Sequence, residues 1–245
     1  MTMQGRLAGR AALVTGGSRG IGFGIAREFA RQGADVLLVA TNAEKLASAK
    51  RELDTLGTRV ERALALYGHL DILVNSAAVY KAAPFLQYQP ADFEWMLGVN
   101  LHGPIHTMQA VLPHMVERGY GRIINVASTA GKWASVNQSA YNIAKHGLVG
   151  LTRCVAAEFG AKGVTVNAIC PGMVQTDLAD QFSVEHAALG QTTPETIKAE
   201  LLKRIAQKRF LDITECGHLA VYLASTESQG MTGQSLLLDG GMLYV

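Results

Sequence analysis

Cysteine is scarce in this chain: three residues, Cys154, Cys170 and Cys216, widely spaced and odd in number. That excludes a disulfide framework and points to a reducing cytoplasm, with the thiols acting as small apolar core groups. No apolar run approaches the roughly 18 residues that span a bilayer. The opening MTMQGRLAGR has no apolar core of a signal peptide, so no membrane association is expected. Charge of one sign is lacking as well. Twenty-two Lys and Arg stand against 20 Asp and Glu, a net +2 with no basic block, which argues against a nucleic-acid partner. Metal-ligand patterns are also thin. His102 and His106 are four apart, but Gly103 and Pro104 lie between them and no third ligand is evident, so no metal is expected.

What is present is apolar and periodic. Apolar residues make up 49% of 245 positions and charged residues 17%, enough for a sizeable core. Strand-like runs at 10–17, 34–40, 71–75, 121–128, 164–172 and 235–241 alternate with helical patterns at 20–34, 42–56, 91–118, 139–162 and 214–224. Runs such as ILVN and LLVA are apolar throughout, as strands buried on both faces of a parallel sheet must be. The alternation predicts an α/β fold, with one doubly wound Rossmann-type domain and a mostly parallel sheet over 1–245.

Between the first strand and helix stands Thr15-Gly16-Gly17-Ser18-Arg19-Gly20-Ile21-Gly22. A chain that turns sharply there brings bare backbone to a pyrophosphate, and the helix start offers free N–H groups and a positive dipole end. Gly16, Ser18, Arg19, Gly20, Ile21 and Gly22 are therefore candidate dinucleotide-binding residues. At the end of the second strand an acid would accept from the 2′-OH of NAD. The sequence has Ala40-Thr41-Asn42 instead, and Arg19 is placed to pair with a 2′-phosphate. The expectation is NADP(H) preferred, NAD(H) possible, with Thr41 beside the ribose.

Tyr141 and Lys145 are four apart, hence on one helix face. An ammonium about 4 Å from a phenolate, at an effective dielectric near 20, stabilises it by about 4 kcal/mol. That is about 3 pK units before desolvation subtracts, enough to turn a Tyr into an acid–base near neutrality. Ser128 ends the preceding strand, at the carboxyl edge of the sheet where such folds bind ligands.

TGGSRGIG, NSAA at 75–78, Asn100, Ser128, YNIAK at 141–145 and PGMVQT at 171–176, in this order, resemble a short-chain dehydrogenase/reductase from Gly9 to Gly241. The resemblance implies that Tyr141 passes a proton to or from the substrate oxygen. It implies that Lys145 tunes Tyr141 and bonds the nicotinamide ribose, and that Ser128 holds the substrate carbonyl. Asn100 would anchor a water linking Lys145 to solvent. Asn75, Ser76 and Ala77 would line the adenosine side, and Pro171, Gly172, Val174 and Thr176 would flank the nicotinamide. A homotetramer or homodimer built through 91–118 and 139–162 is also implied.

Two departures stand out. Ala78 occupies a position where the family usually has Gly. And only thirteen residues, Thr58 to Leu70, separate a helical pattern from the strand DILVN. The family has a third strand and a full helix there, so about 15–25 residues are absent between Gly57 and Asp71, given a crossover of a dozen or more. A strand and its helix return the chain to the same end of the sheet, and the missing strand is an edge strand. The topology therefore closes without it, at the cost of an exposed edge. Thr58-Arg59-Val60 reads as a loop or strand stub, and Glu61 to Tyr67 as a short helix.

The segment 177–207 is long for a connection and reads as a substrate-covering loop or helix insertion, with Leu178, Phe182, His186 and Leu189 over the site. Trp133, between Ser128 and Tyr141, is a candidate pocket wall. The reading is an NADP(H)-preferring oxidoreductase acting on a small carbonyl or alcohol substrate: a polyol, hydroxyketone or hydroxyacid. Two alternatives stay open. One is a 3-oxoacyl-thioester reductase, for which Lys203, Arg204, Lys208 and Arg209 would form a docking patch. The other is a non-catalytic nucleotide-binding or interaction protein.

Overall fold

A computed structural model describes residues 5–54 and 68–245. Strands β1 (Ala11–Thr15), β2 (Asp35–Val39), β3 (Ile72–Asn75), β4 (Gly121–Val126), β5 (Val164–Pro171) and β6 (Ser235–Leu238) form one sheet in the order β2-β1-β3-β4-β5-β6. Every pairing is parallel. Crossover helices are α1 (Gly20–Arg31), α2 (Ala43–Asp54), α3 (Pro90–Leu97), α4 (Gly103–Glu117), α5 (Ser139–Phe159), α6 (Asp177–Leu189), α7 (Pro194–Arg204) and α8 (Ile213–Ala224). This is the single doubly wound α/β domain expected from the alternation.

Successive strand side chains point to opposite faces, and both faces are covered. Ile72, Val74, Ile124 and Val126 pack under Ile25, Phe29, Ala220 and Leu223 of α1 and α8. Leu73, Ile123, Val164 and Val166 pack under Met108, Leu112, Met115 and Val155 of α4 and α5. Strands β3, β4 and β5 are therefore buried along their whole length, which is why their sequences do not alternate. Cys170 and Cys216 lie in the core as expected, whereas Cys154 is exposed on the outer side of α5.

The helical region at 91–118 is not uniform. Residues Gly98–His102 form a π turn between α3 and α4, in which Gly103 N–H reaches back to the Gly98 carbonyl. The polar segment at 177–207 resolves into α6 and α7, capped by Thr176 and Thr193.

The stub at Thr58-Arg59-Val60 and the short helix at Glu61 to Tyr67 lie outside the described residues. On the near side of that stretch, β2 pairs with β1 at one edge of the sheet. On the far side the chain is pinned at once. The buried carboxylate of Asp71 accepts from Ala11 N–H at 3.0 Å, with Arg10, His69 and Arg118 around it at 3.3–3.7 Å. A buried carboxylate needs such partners to offset its lost hydration. Together they fix the register Ala12↔Ile72 through Thr15↔Asn75, which places β3 beside β1.

Candidate active site

The glycine turn sits between β1 and α1 at the carboxyl edge of the sheet. Gly16 has φ +67°, and a Cβ there would lie 2.8 Å from the Ala77 backbone. A Cβ on Gly22 would lie 2.5 Å from the Gly16 carbonyl oxygen. The turn is thus folded against Ser76-Ala77, whose N–H groups both donate to Thr15 Oγ1. Helix α1 begins with no side-chain cap on Arg19 and no acid in its first turn. Its N–H groups are left for an anion, and a dinucleotide pyrophosphate fits this cradle. Thr176 closes it from above: its Cγ2 is the nearest neighbour to a Cβ on Gly20.

Thr41 is exposed beyond the end of β2, next to Asn42, which caps α2 by accepting from Lys45 N–H at 2.8 Å. Arg19 is where a 2′-phosphate reader should be, but it is paired. Its guanidinium meets Asp177 Oδ2 at 2.5 Å, and Lys45 Nζ reaches the same oxygen at 3.3 Å. Lys45 is a second cation at this corner that motif reading passed over. Its signal was a Lys three residues after the N-cap at the end of β2.

Asn75, at the end of β3, precedes the Ser76-Ala77 segment that packs on the glycine turn. Its amide faces inward, donating to Asn125 Oδ1 at 2.9 Å and accepting from Thr107 at 2.7 Å. Asn125 in turn donates to Thr152. This buried network ties β3, β4, α4 and α5 together.

Tyr141 and Lys145 point the same way from α5, and both are buried, at 7% and 2% exposure. Lys145 Nζ lies 5.6 Å from the Tyr141 ring centre and donates to the Val126 carbonyl, the last residue of β4, at 2.9 Å. Two residues on, Ser128 hydrogen-bonds the Tyr141 hydroxyl, while its Oγ accepts from Ala130 N–H at 3.1 Å. Asn100, fully buried in the π turn, clasps Val79 at both ends: Nδ2 donates to its carbonyl and Oδ1 accepts from its N–H. These two bonds fix the orientation of its amide and tie the π turn to the segment after β3.

The electrostatics also correct an expectation. Burial pushes Tyr141 up to about 12, with the Ser128 hydrogen bond pulling the other way. Burial pushes Lys145 down to about 8, partly offset by Cys170. Desolvation penalises both charged forms and here outweighs the stabilisation of phenolate that the sequence spacing suggests. At neutral pH Tyr141 here carries its proton, and Lys145 is still mostly the ammonium.

These groups open on a cavity of about 490 Å³ bounded by Ser128, Tyr141, Pro171, Gly172, Val174 and Thr176 below. Leu178, Phe182 and His186 of α6 and Leu201 and Arg204 of α7 bound it above, and Trp133 forms a side. Leu189 does not join them; it sits at the end of α6, 37% exposed. Sequence reading missed Tyr80. Its ring stands edge-on to Tyr141 at 5.1 Å, and its hydroxyl is 2.7 Å from His186 Nε2. An aromatic five residues past the end of β3, at the ligand edge of the sheet, was the available signal. Ala82 N–H and Glu185, together with Gln181 and the Tyr80 carbonyl, fasten α6 to this segment.

Comparison with known proteins agrees with this geometry. Residues 16–243 match the family described as enoyl-(acyl carrier protein) reductase. The D-beta-hydroxybutyrate dehydrogenase of Cupriavidus necator is 38% identical, with 96% of this chain and 98% of the relative covered. That alignment runs over 254 residues, more than the 245 of this chain, so it places gaps in this chain. Among solved structures, an actinorhodin polyketide ketoreductase with NADPH superposes with a TM-score of 0.91 at 30% identity, covering 98% of this chain and 99% of the other. An NAD+-bound xylitol dehydrogenase gives 0.92 at 27%, covering 96% and 99%.

Proposed function

The chain belongs to the short-chain dehydrogenase/reductase family of oxidoreductases, and from that membership we propose an NADP(H)-preferring enzyme that interconverts a small secondary alcohol and its ketone. The observation that carries the reading is the Ser128–Tyr141–Lys145 cluster, facing a cavity whose other end is the uncapped start of α1. When bound, the nicotinamide would supply or take up the hydride. The residues do the rest. Ser128 donates a hydrogen bond to the carbonyl oxygen, and Tyr141 gives that oxygen its proton as the adjacent carbon is reduced. In the oxidative direction Tyr141 takes the proton back. Lys145, hung from the end of β4, holds the Tyr141 face and reaches the ribose. Asn100 positions this group by locking Val79, next to Tyr80; the π turn also shifts the helical hydrogen bonds by one residue, so we assign any water relay to the Asn100 backbone.

NADP(H) preference is supported by the absence of an acid after β2 and by Arg19 and Lys45 converging on one corner. The covering role of 177–207 is supported by α6 and α7 bounding the cavity. A homodimer or homotetramer is supported by an apolar groove of about 430 Å³ along α4 and α5, with Met108, Leu112 and Phe159 among its walls; light scattering reads it directly. For the acyl-carrier alternative, the docking residues are held by exposed contacts: Lys203 answers Glu200, Arg209 answers Glu215 at two points, and Lys208 donates to the Lys203 carbonyl.

The test is NADPH-dependent reduction of small ketones by the wild-type protein and Tyr141→Phe. Turnover that survives in Tyr141→Phe at the wild-type rate would sink the catalytic reading.

A further inference from the structure

On the side of the cavity formed by α7 stands the exposed Arg204, with Glu200 bounding the same space. Arg204 ends α7, and its guanidinium lies over the Trp133 indole at 4.6 Å from the ring centre. Among the described residues no carboxylate forms an ion pair with it. The acid closest to hand, Glu200, one turn back on the same helix, is engaged by Lys203 at 2.5 Å. An aromatic face fixes the plane of a guanidinium and leaves its edge donors free. A plane held this way, with its donors unspent, is half of a bidentate carboxylate contact.

A second, independent feature points into the same space. Gln138 is 8% exposed and bounds the cavity, yet its side-chain amide has no hydrogen-bond partner among the described residues. That leaves both its oxygen and its NH2 open to a bound molecule in the cavity. Gln138 lies three residues before Tyr141, so its amide sits beside the reacting centre, while Arg204 lies across the cavity on Trp133.

We propose that Arg204, stacked on Trp133, is a carboxylate anchor, that Gln138 bonds the same substrate, and that the substrate is therefore a short oxoacid or hydroxyacid. The proposal deepens the oxidoreductase reading and rests on it. It selects the acid from among polyols, hydroxyketones and hydroxyacids. It also selects carboxylate over phosphate, since one guanidinium matches one negative charge. In the reaction the carboxylate is a spectator. The carbonyl carbon gains hydride from NADPH and its oxygen gains the Tyr141 proton, which balances oxoacid to hydroxyacid.

The test compares short oxoacids with their methyl esters, using NADPH and the full chain. Wild type is expected to favour acid over ester in kcat/KM by about 10- to 100-fold, as one charge-assisted bidentate contact gives. Arg204→Leu is expected to collapse that ratio to near one, mainly through KM. Arg204→Lys should keep part of it, since charge remains but the planar fork is lost. Trp133→Leu should fall between. Equal use of acid and ester by wild type, or a ratio unmoved in Arg204→Leu, overturns the anchor while the oxidoreductase reading stands. If neither acid nor ester turns over, that reading fails, and the anchor is decided by calorimetry. Butyrate binding to wild type that is lost in Arg204→Leu supports the anchor. No butyrate binding, or tighter binding of a propyl phosphate, overturns it.

Discussion

At one end of the cleft Lys145 and Asn100 have almost no contact with solvent, and each is held by main-chain groups, Val126 and Val79. At the other end Arg19 and Asp177 meet across open surface, with more than half of each side chain exposed. The first arrangement is built into β4, α5 and the π turn, so moving it means moving the core. The second costs little to make or break, because exposed ion pairs contribute about 0–1 kcal/mol. The difference teaches that proton chemistry is fixed by burial, whereas cofactor choice is set by surface charges that a ligand can recruit. Asp177 marks the border. It opens α6, so the carboxylate that holds Arg19 and Lys45 belongs to the helix that covers the substrate.

The comparison breaks most visibly at Tyr141. Tyr141→Phe is expected to lower kcat by about a thousandfold, while NADPH affinity, read by cofactor fluorescence, shifts by less than about threefold. Next is Asn100→Ala, which strands two main-chain groups of the half-buried Val79 and empties a fully buried site. Urea unfolding should show a loss of about 2–4 kcal/mol. A loss near zero would mean that the π turn does not need the clasp.

Lys145 sharpens the same point through pH. Its folded pKa, about 8, is below the unfolded value, so the unfolded chain binds more protons between pH 8 and about 10.4. Wild-type stability should therefore gain from this group across that window, and below it the cost of burying the ammonium is fully present. Lys145→Met lacks the gain. The stability of wild type relative to Lys145→Met should rise by on the order of 2–3 kcal/mol from pH 8 to 10.4, measured by urea titration at each pH. At the exposed end effects are smaller. Arg19→Ala should weaken NADPH binding about tenfold, with little effect on NADH. Asp177→Asn should tighten NADPH about threefold by freeing both cations, with a change in stability below about 0.5 kcal/mol.

Much of the fold and site was legible because it is local in sequence. A glycine turn between strand and helix, or Tyr and Lys one helical turn apart, declares itself within a few residues. Six strands and the position of Ser128 followed from runs of apolar residues. Contacts over long separations were not legible. Asp177 finds Arg19 across 158 positions, and His186 finds Tyr80 across 106. The direction of the Tyr141 shift was misjudged for a related reason. A sequence shows that a cation is near, but the desolvation that outweighs it depends on how deeply α5 and its neighbours bury the pair. The π turn was hidden because Gly98 to His102 fit a helical period as well as their neighbours do.

The reading proposed is that the chain keeps a working NADP(H) site although only thirteen residues, Thr58 to Leu70, stand where the family's third strand and helix are expected. It is tested most directly by titrating the purified protein with NADPH and with NADH and following cofactor fluorescence. The account predicts saturable NADPH binding, tighter than NADH by about tenfold. If neither cofactor binds, the shortened region has disabled the nucleotide site. Ser128, Tyr141 and Lys145 would then be remnants in an interaction protein.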